Sequence, residues 1–312
     1  MKAEGPAAGT RPPVPSPLVS IVVTTRNEEK NIGRCLESIR LQTCGNTEII
    51  VVDNFSDDRT MEIAKKYTSS VFEKGPERSA QRNYGMMETA RGEYVMFVDA
   101  DMILSPVLVD ACVKAMRDGV ALALHVPEIV LGRGYFSRVR RFERRFYDGT
   151  VIDGARFFRK EAFLKAGGFD EGMSGPEDWD MDKKIKRAGS IGLLPAAGGT
   201  PRGWPLFDFI RERGVDPARF GAVVYHNEAE FDLRKYLGKK RYYAGSFDAY
   251  IRKWGWKDPD IKKQFGPAYR YAGVFTEAGK WRRICLHPLL ACGMFFLRAM
   301  VGVQYLRRRF QT

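Results

Sequence analysis

Two carboxylates one residue apart, Asp99 and Asp101, close the apolar run 94–98 of this 312-residue chain. A third, Asp53, closes the run 49–52, and the stretch GPEDWD at 175–180 sets Glu177, Asp178 and Asp180 at the start of a helical pattern. Side chains at i and i+2 of a strand point to opposite faces. At a strand end followed by a turn, both can reach one pocket. Carboxylates with no thiol or imidazole beside them in sequence suit a hard cation such as Mg2+ or Mn2+, which binds together with substrate phosphates. An acid at the head of a glycine-rich helix start could cap that helix. Capping accounts for one or two of these acids, not for the apolar Trp179 between them or the glycine-rich approach. His226, in VVYHNEAEF, reads either as a hydrogen-bonded structural residue or as a further metal ligand, imidazole suiting Mn2+ better than Mg2+.

These residues need a frame that brings strand ends together. Residues 18–24 form a continuous β-branched run, as for a strand buried on both faces. Residues 29–41 carry Ile32, Leu36 and Ile39 at helical spacing, 48–53 is a second strand, 58–67 a short helix, and 71–72 a brief third strand. Residues 77–90 read as a helix and 94–99 as a strand. Such alternation predicts an α/β fold, a mostly parallel sheet with helices on both faces. Ligands of such sheets bind at the carboxyl ends of the strands. There the chain offers Thr24-Thr25-Arg26-Asn27, Asp53-Asn54 and Asp99-Ala100-Asp101. Neither GxGxxG after the first strand nor GxxxxGK[ST] occurs, so the ordinary dinucleotide and P-loop devices are absent. Further on, 106–117 reads as a helix, 120–125 as a strand, 135–147 as a basic aromatic helix, and 162–168 and 180–188 as helices. The Gly- and Pro-rich stretch 192–221 reads as a long loop.

In order, the motifs VSIVVTTRNEEKNI (19–32), EIIVVDNFSDDRT (48–60), RSAQRNYG (78–85), FVDAD (97–101) and GGFDEGMSGPEDWDMDKKIKRAG (167–189) resemble those of the glycosyltransferase family 2 enzymes. The resemblance covers roughly residues 18–230. It implies a GT-A fold and a nucleotide diphosphate sugar as donor, with a UDP-sugar the first choice. By this likeness Thr24, Arg26 and Glu28 line the base and ribose end, and Asp53 bonds the base. Arg26 stands where the family commonly has an aromatic residue; a guanidinium can also stack on a base. Arg78 and Arg82 would meet the donor. Asp99 would contact the ribose and the metal's water shell, Asp101 would bind Mn2+ or Mg2+ directly, and His226 would be a third ligand. Asp178, with Glu177 as the alternative, would be the general base. The implied activity is inverting transfer of a sugar to a carbohydrate or polyprenyl-phosphate-linked acceptor. A nucleotidyltransferase is a rival reading, disfavoured by the lack of a glycine-rich phosphate loop.

Charge divides the chain. The net +13 falls entirely after residue 230, where 18 Lys and Arg face 5 Asp and Glu. Residues 18–230 are therefore expected as the catalytic domain and 231–312 as a basic, aromatic-rich helical region. Residues 1–17, with five prolines and no apolar run, are expected to be a disordered leader without a secretory signal. The scattered cysteines read as reduced thiols of a cytosolic protein. The segment 284–310 is apolar but broken by His287-Pro288 and Arg298, and cations flank it. It is too interrupted to span a bilayer and suits an anionic membrane surface, or else packs on the domain. The expected place is therefore the cytoplasmic membrane face, peripherally bound. A nucleic-acid-binding tail would not explain the ordered acids of the neutral first 230 residues, so no nucleic acid is expected. FSRVRRFERRF at 136–146 is a second basic stretch, expected to reach an acceptor phosphate or to be a solvated face.

Overall fold

The computed structural model describes residues 16–196, 198–228 and 231–309. The expected leader lies, but for its last two residues, outside the described residues. The strands are β1 (Val19–Thr25), β2 (Thr47–Asp53), β3 (Val71–Glu73), β4 (Tyr94–Asp99), β5 (Met102–Leu104), β6 (Ala123–His125), β7 (Glu128–Val130), β8 (Ala155–Arg159), β9 (Ile191–Leu193) and β10 (Val224–His226). The first eight helices are α1 (Ile32–Arg40), α2 (Thr60–Ala64), α3 (Arg78–Asn83), α4 (Leu108–Asp118), α5 (Tyr135–Arg144), α6 (Lys160–Lys165), α7 (Glu177–Ala188) and α8 (Phe207–Glu212). After them come α9 (Leu233–Tyr243), α10 (Phe247–Trp254), α11 (Pro259–Phe265), α12 (Val274–Thr276), α13 (Trp281–Leu286) and α14 (Pro288–Arg309).

Seven strands form one sheet in the order β3-β2-β1-β4-β8-β6-β9. Its pairs are parallel except those of β8, which runs against both β4 and β6. The expected mostly parallel α/β sheet is what forms. Alternate side chains feed two cores. Ile21, Val23, Val51, Met96 and Val98 pack under α1 and α4, while Val22, Ile50, Val52, Val95 and Phe97 pack with Met86, Phe163, Met181 and Ile185 on the other face. The helix expected over 77–90 is split. After α3 the chain widens into a π-helical stretch, Tyr84–Thr89, where a Cβ at Gly85 would run into Val22.

Register lines up the polar ends. Thr24 pairs with Asp99, and Thr25 with Asp53. A second sheet, β5-β10-β7, sits beyond β4 and pairs His226 with Met102 and Val130. This sheet corrects the reading of 192–221 as one long loop. Trp204, Phe207 and Ile210 recur at helical spacing despite the surrounding Gly and Pro, and they bury against Ile129 and Tyr225, so α8 forms.

The basic helix α5 faces inward. Arg144 pairs with Asp153 at 2.9 Å, Arg140 with Glu228 at 3.1 Å, and Arg141 donates to the Val130 carbonyl at 2.8 Å. This corrects the expectation of a solvated or acceptor-facing patch for those three arginines: each meets a carboxylate or carbonyl oxygen that lies outside the helix. Val139, Phe142 and Phe146 of α5 share a core with Val274, Phe275, Ala291, Met294 and Leu297. The last helix thus lies on the domain by one face. Leu289, Cys292, Phe296, Ala299 and Val303 recur at three- and four-residue spacing on the outer face and are exposed. Among the described residues no helix is long and apolar enough to cross a membrane.

Candidate active site

Arg82 joins the strand-end acid Asp99 to Asp178 at the start of α7. It comes from α3, is 1% exposed, and donates to Asp99 Oδ1 at 3.2 Å and to Asp178 Oδ1 at 2.9 Å. Its guanidinium carbon lies 3.8 Å from the centroid of the Phe97 ring, so the buried charge rests on an aromatic face. Sequence reasoning put Arg82 in contact with the donor. The structure makes it the bridge between the end of β4 and the start of α7. Asp99 takes both its hydrogen bonds through Oδ1, the second from Thr24 Oγ1 at 3.0 Å. Burial alone would raise the Asp99 carboxyl, but Arg82 first, then Arg156 and Arg78, hold it well below the usual carboxylate range.

Asp101 stands in the turn between β4 and β5. Its Oδ2 lies 3.1 Å from His226 Nε2, and Glu128 Oε1 lies 2.8 Å from His226 Nδ1. Burial works against a charged imidazole here, yet Asp101 and Glu128 hold its pKa well above the ordinary value. Asp101 Oδ1 is buried with no hydrogen-bond partner. An orphaned, buried carboxylate oxygen beside an oriented imidazole is a donor set that could take a divalent cation. Among the described residues no three His, Cys, Asp or Glu side chains converge at metal-ligating spacing. Asp99, expected at the metal beside Asp101 and His226, is held through Oδ1 alone by Thr24 and Arg82.

The two acids of α7 differ sharply. Glu177 is fully buried and paired with Arg78 at 2.7 Å, and it also accepts from the Gly175 N–H. Burial and adjacent Asp178 push its pKa up against Arg78 and Arg82. Asp178 keeps 30% of its side chain exposed. Trp179 between them is structural, stacked on Phe247 and donating to the Ile152 carbonyl at 3.0 Å.

The end expected to take the base is a pair of stitched loops. Both Asp53 oxygens accept from Ser56, from N–H and Oγ–H at 2.6 Å each, so Asp53 closes the turn after β2. Asn27 N–H donates to Ser56 Oγ at 2.8 Å, and Asp57 N–H to Asn27 Oδ1 at 3.0 Å. Arg26 is exposed beside this seam. Glu28 accepts from Asn31 Nδ2 at 2.7 Å. Burial, then Asp101, Asp58 and Asp99, raise its pKa. Arg78 is a quarter exposed and lies under the Tyr243 ring of α9 at 4.9 Å. Sequence reasoning missed Glu128 and Arg156, which pair at 2.9 Å. The one available signal was an acid inside the apolar run 126–131, since a buried carboxylate demands partners.

Residues 20–168 match the family model described as Glycosyl transferase family 2. The chain carries a glycosyltransferase family 2 domain. EpsH of Bacillus subtilis (strain 168) is 37% identical over 108 residues, which is 33% of this chain and 30% of that protein. The chondroitin synthase of Escherichia coli is 27% identical over 188 residues, 55% of this chain and 27% of that protein. The chain thus spans less than a third of the length of these two curated relatives. Among solved structures, the mannosyltransferase PcManGT of Pyrobaculum calidifontis, in complex with GDP-Man and Mn2+, aligns with a TM-score of 0.55 and 19% identity. The alignment covers 97% of this chain and 88% of that one, so the family 2 domain and the helices after it share that fold.

Proposed function

We propose that this protein is an inverting, metal-dependent glycosyltransferase that moves a sugar from a nucleotide diphosphate sugar to a carbohydrate or lipid-linked acceptor. The observation that carries the reading is the grouping at the carboxyl end of β4 of Asp99, the Asp101–His226 pair and partly exposed Asp178, with Arg82 tying Asp99 to Asp178. Thr24, Arg26, Glu28 and Asp53 form the base and ribose end, Asp53 through the turn it closes. Arg78, a quarter exposed, would meet the diphosphate. Asp101 and His226 would hold Mn2+ or Mg2+, which offsets negative charge developing on the leaving diphosphate. Asp178 accepts the proton of the acceptor hydroxyl. The freed oxygen attacks the anomeric carbon opposite the nucleotide, the bond to the diphosphate breaks, and the sugar inverts. Glu177 is less suited, since it is sealed behind Arg78. The resolved neighbour holds GDP-Man, so GDP-sugars belong beside UDP-sugars among the first donors to test.

The test is a panel of sugar nucleotides with Mn2+ or Mg2+, read by release of nucleoside diphosphate. One donor is expected to give release that acceptor glycans accelerate. Neither turnover nor binding of any member would sink the reading.

The outer face of α13 and α14 carries Trp281, Leu286, Leu289 and Phe296, all exposed, with Arg282 beside them. This face suits the headgroup region of an anionic leaflet, each cation there contributing about 1 kcal/mol. The expected place is the cytoplasmic membrane face, near a polyprenyl-phosphate-linked acceptor. Removing the helices would strip the core around Phe142 and Phe146, so substitution is the better test. The protein is expected to co-sediment with phosphatidylglycerol vesicles, less so at high salt. Leu286→Ser, Leu289→Ser and Phe296→Ser together should release it without loss of fold. Equal partitioning of the triple variant, or no sedimentation at all, would refute the membrane assignment.

A further inference from the structure

The setting of Phe55 is costly and leaves most of its ring in solvent. Its side chain is 63% exposed, and its φ of +51° lies in the left-handed region that bulky residues avoid. Stability favours neither feature. The backbone on both sides is clamped. Asn54 N–H donates to the Thr25 carbonyl at 2.9 Å and Asn54 Nδ2 to the Pro76 carbonyl at 2.6 Å, while Ser56 is held by Asp53 and Asn27. The strained residue is therefore fixed where the turns after β1, β2 and β3 meet. Its ring leans on Gly75, where a Cβ would stand 3.1 Å from Phe55 Cε2. Observed strain that the surroundings enforce is a mark of function. The chain neighbours of Phe55, Asn54 and Ser56, are polar, and Ser56 is bonded across the seam to Asn27, which follows exposed Arg26.

We propose that Phe55 presents an aromatic face to the heterocycle of the donor nucleotide and so sets affinity for the nucleoside rather than for the diphosphate. This rests on the donor-site reading above. Stacking accepts any base, so Phe55 governs how tightly a nucleotide is held, not which one.

Titration calorimetry of UDP, GDP and inorganic pyrophosphate, each with Mn2+, into the full chain and into Phe55→Gly and Phe55→Leu tests it. Glycine adopts the positive φ freely, so the fold is kept and the melting temperature is expected to hold or rise. Phe55→Gly should weaken the nucleoside diphosphate that the unaltered chain binds by about tenfold and leave pyrophosphate within about twofold. Phe55→Leu should lose nearly as much, since it keeps bulk but not the π face. Unchanged nucleotide affinity in Phe55→Gly, or an equal loss for pyrophosphate, overturns the proposal. If the unaltered chain binds no nucleoside diphosphate, the donor-site reading fails first, visibly in the parent protein, and this inference falls with it.

Discussion

Asp178→Asn is expected to lower sugar transfer by about 10²–10⁴-fold while donor affinity changes little. The substitution keeps the side chain's size, which matters because Gly154 packs directly against the Asp178 Cβ. An amide oxygen can still accept from Arg82, as Asp178 Oδ1 does at 2.9 Å. What is lost is the capacity to take a proton. Single-turnover transfer and equilibrium binding of the donor, measured separately, distinguish the two roles. Normal single-turnover transfer with collapsed donor affinity would make Asp178 a binding residue. Glu177→Gln is the control. Glu177 is fully buried against Arg78, so its loss leaves a largely buried cation unpaired and should cost about 3 kcal/mol of stability. If Glu177→Gln instead abolishes transfer at unchanged stability, the base is Glu177.

Asp101→Ala should reduce turnover by at least about 10²–10³-fold and abolish the dependence of nucleoside diphosphate binding on Mn2+. The fold should survive. His226 keeps its 2.8 Å contact with Glu128, and the Asp101 backbone carbonyl that accepts from Asn227 N–H at 2.9 Å is untouched by the substitution. The orphaned Oδ1 is the reason for expecting a large effect, since that oxygen has nothing to lose but a ligand. Titrating nucleotide with and without a chelator supplies a readout independent of turnover. Full activity of the unaltered protein in metal-free buffer with chelator present would remove the metal from the mechanism and Asp101 from its assigned role.

The frame and the inventory of acids were legible in the sequence. Strands β1, β2 and β4 announce themselves because strands buried on both faces need unbroken apolar runs, and each stops at residues that cannot be buried unpaired. The α7 acids are legible for the same local reason. Tertiary structure decided how the acids divide the work. Whether Glu177 or Asp178 faces solvent depends on Arg78 and Arg82, about a hundred positions upstream. His226 becomes a partner of Asp101 only because β10 threads between β5 and β7, strands of three residues that have no period to read. The same holds for β8, which runs against its neighbours, and for the arginines of α5, whose charges look solvated until Asp153, Glu128 and Glu228 are brought to them. Periodicity and strand-end chemistry are encoded within a few residues, so a sequence displays them directly. The pairing of buried charges is a long-range choice, made by whichever partners the packed sheet brings within reach to offset the cost of leaving water.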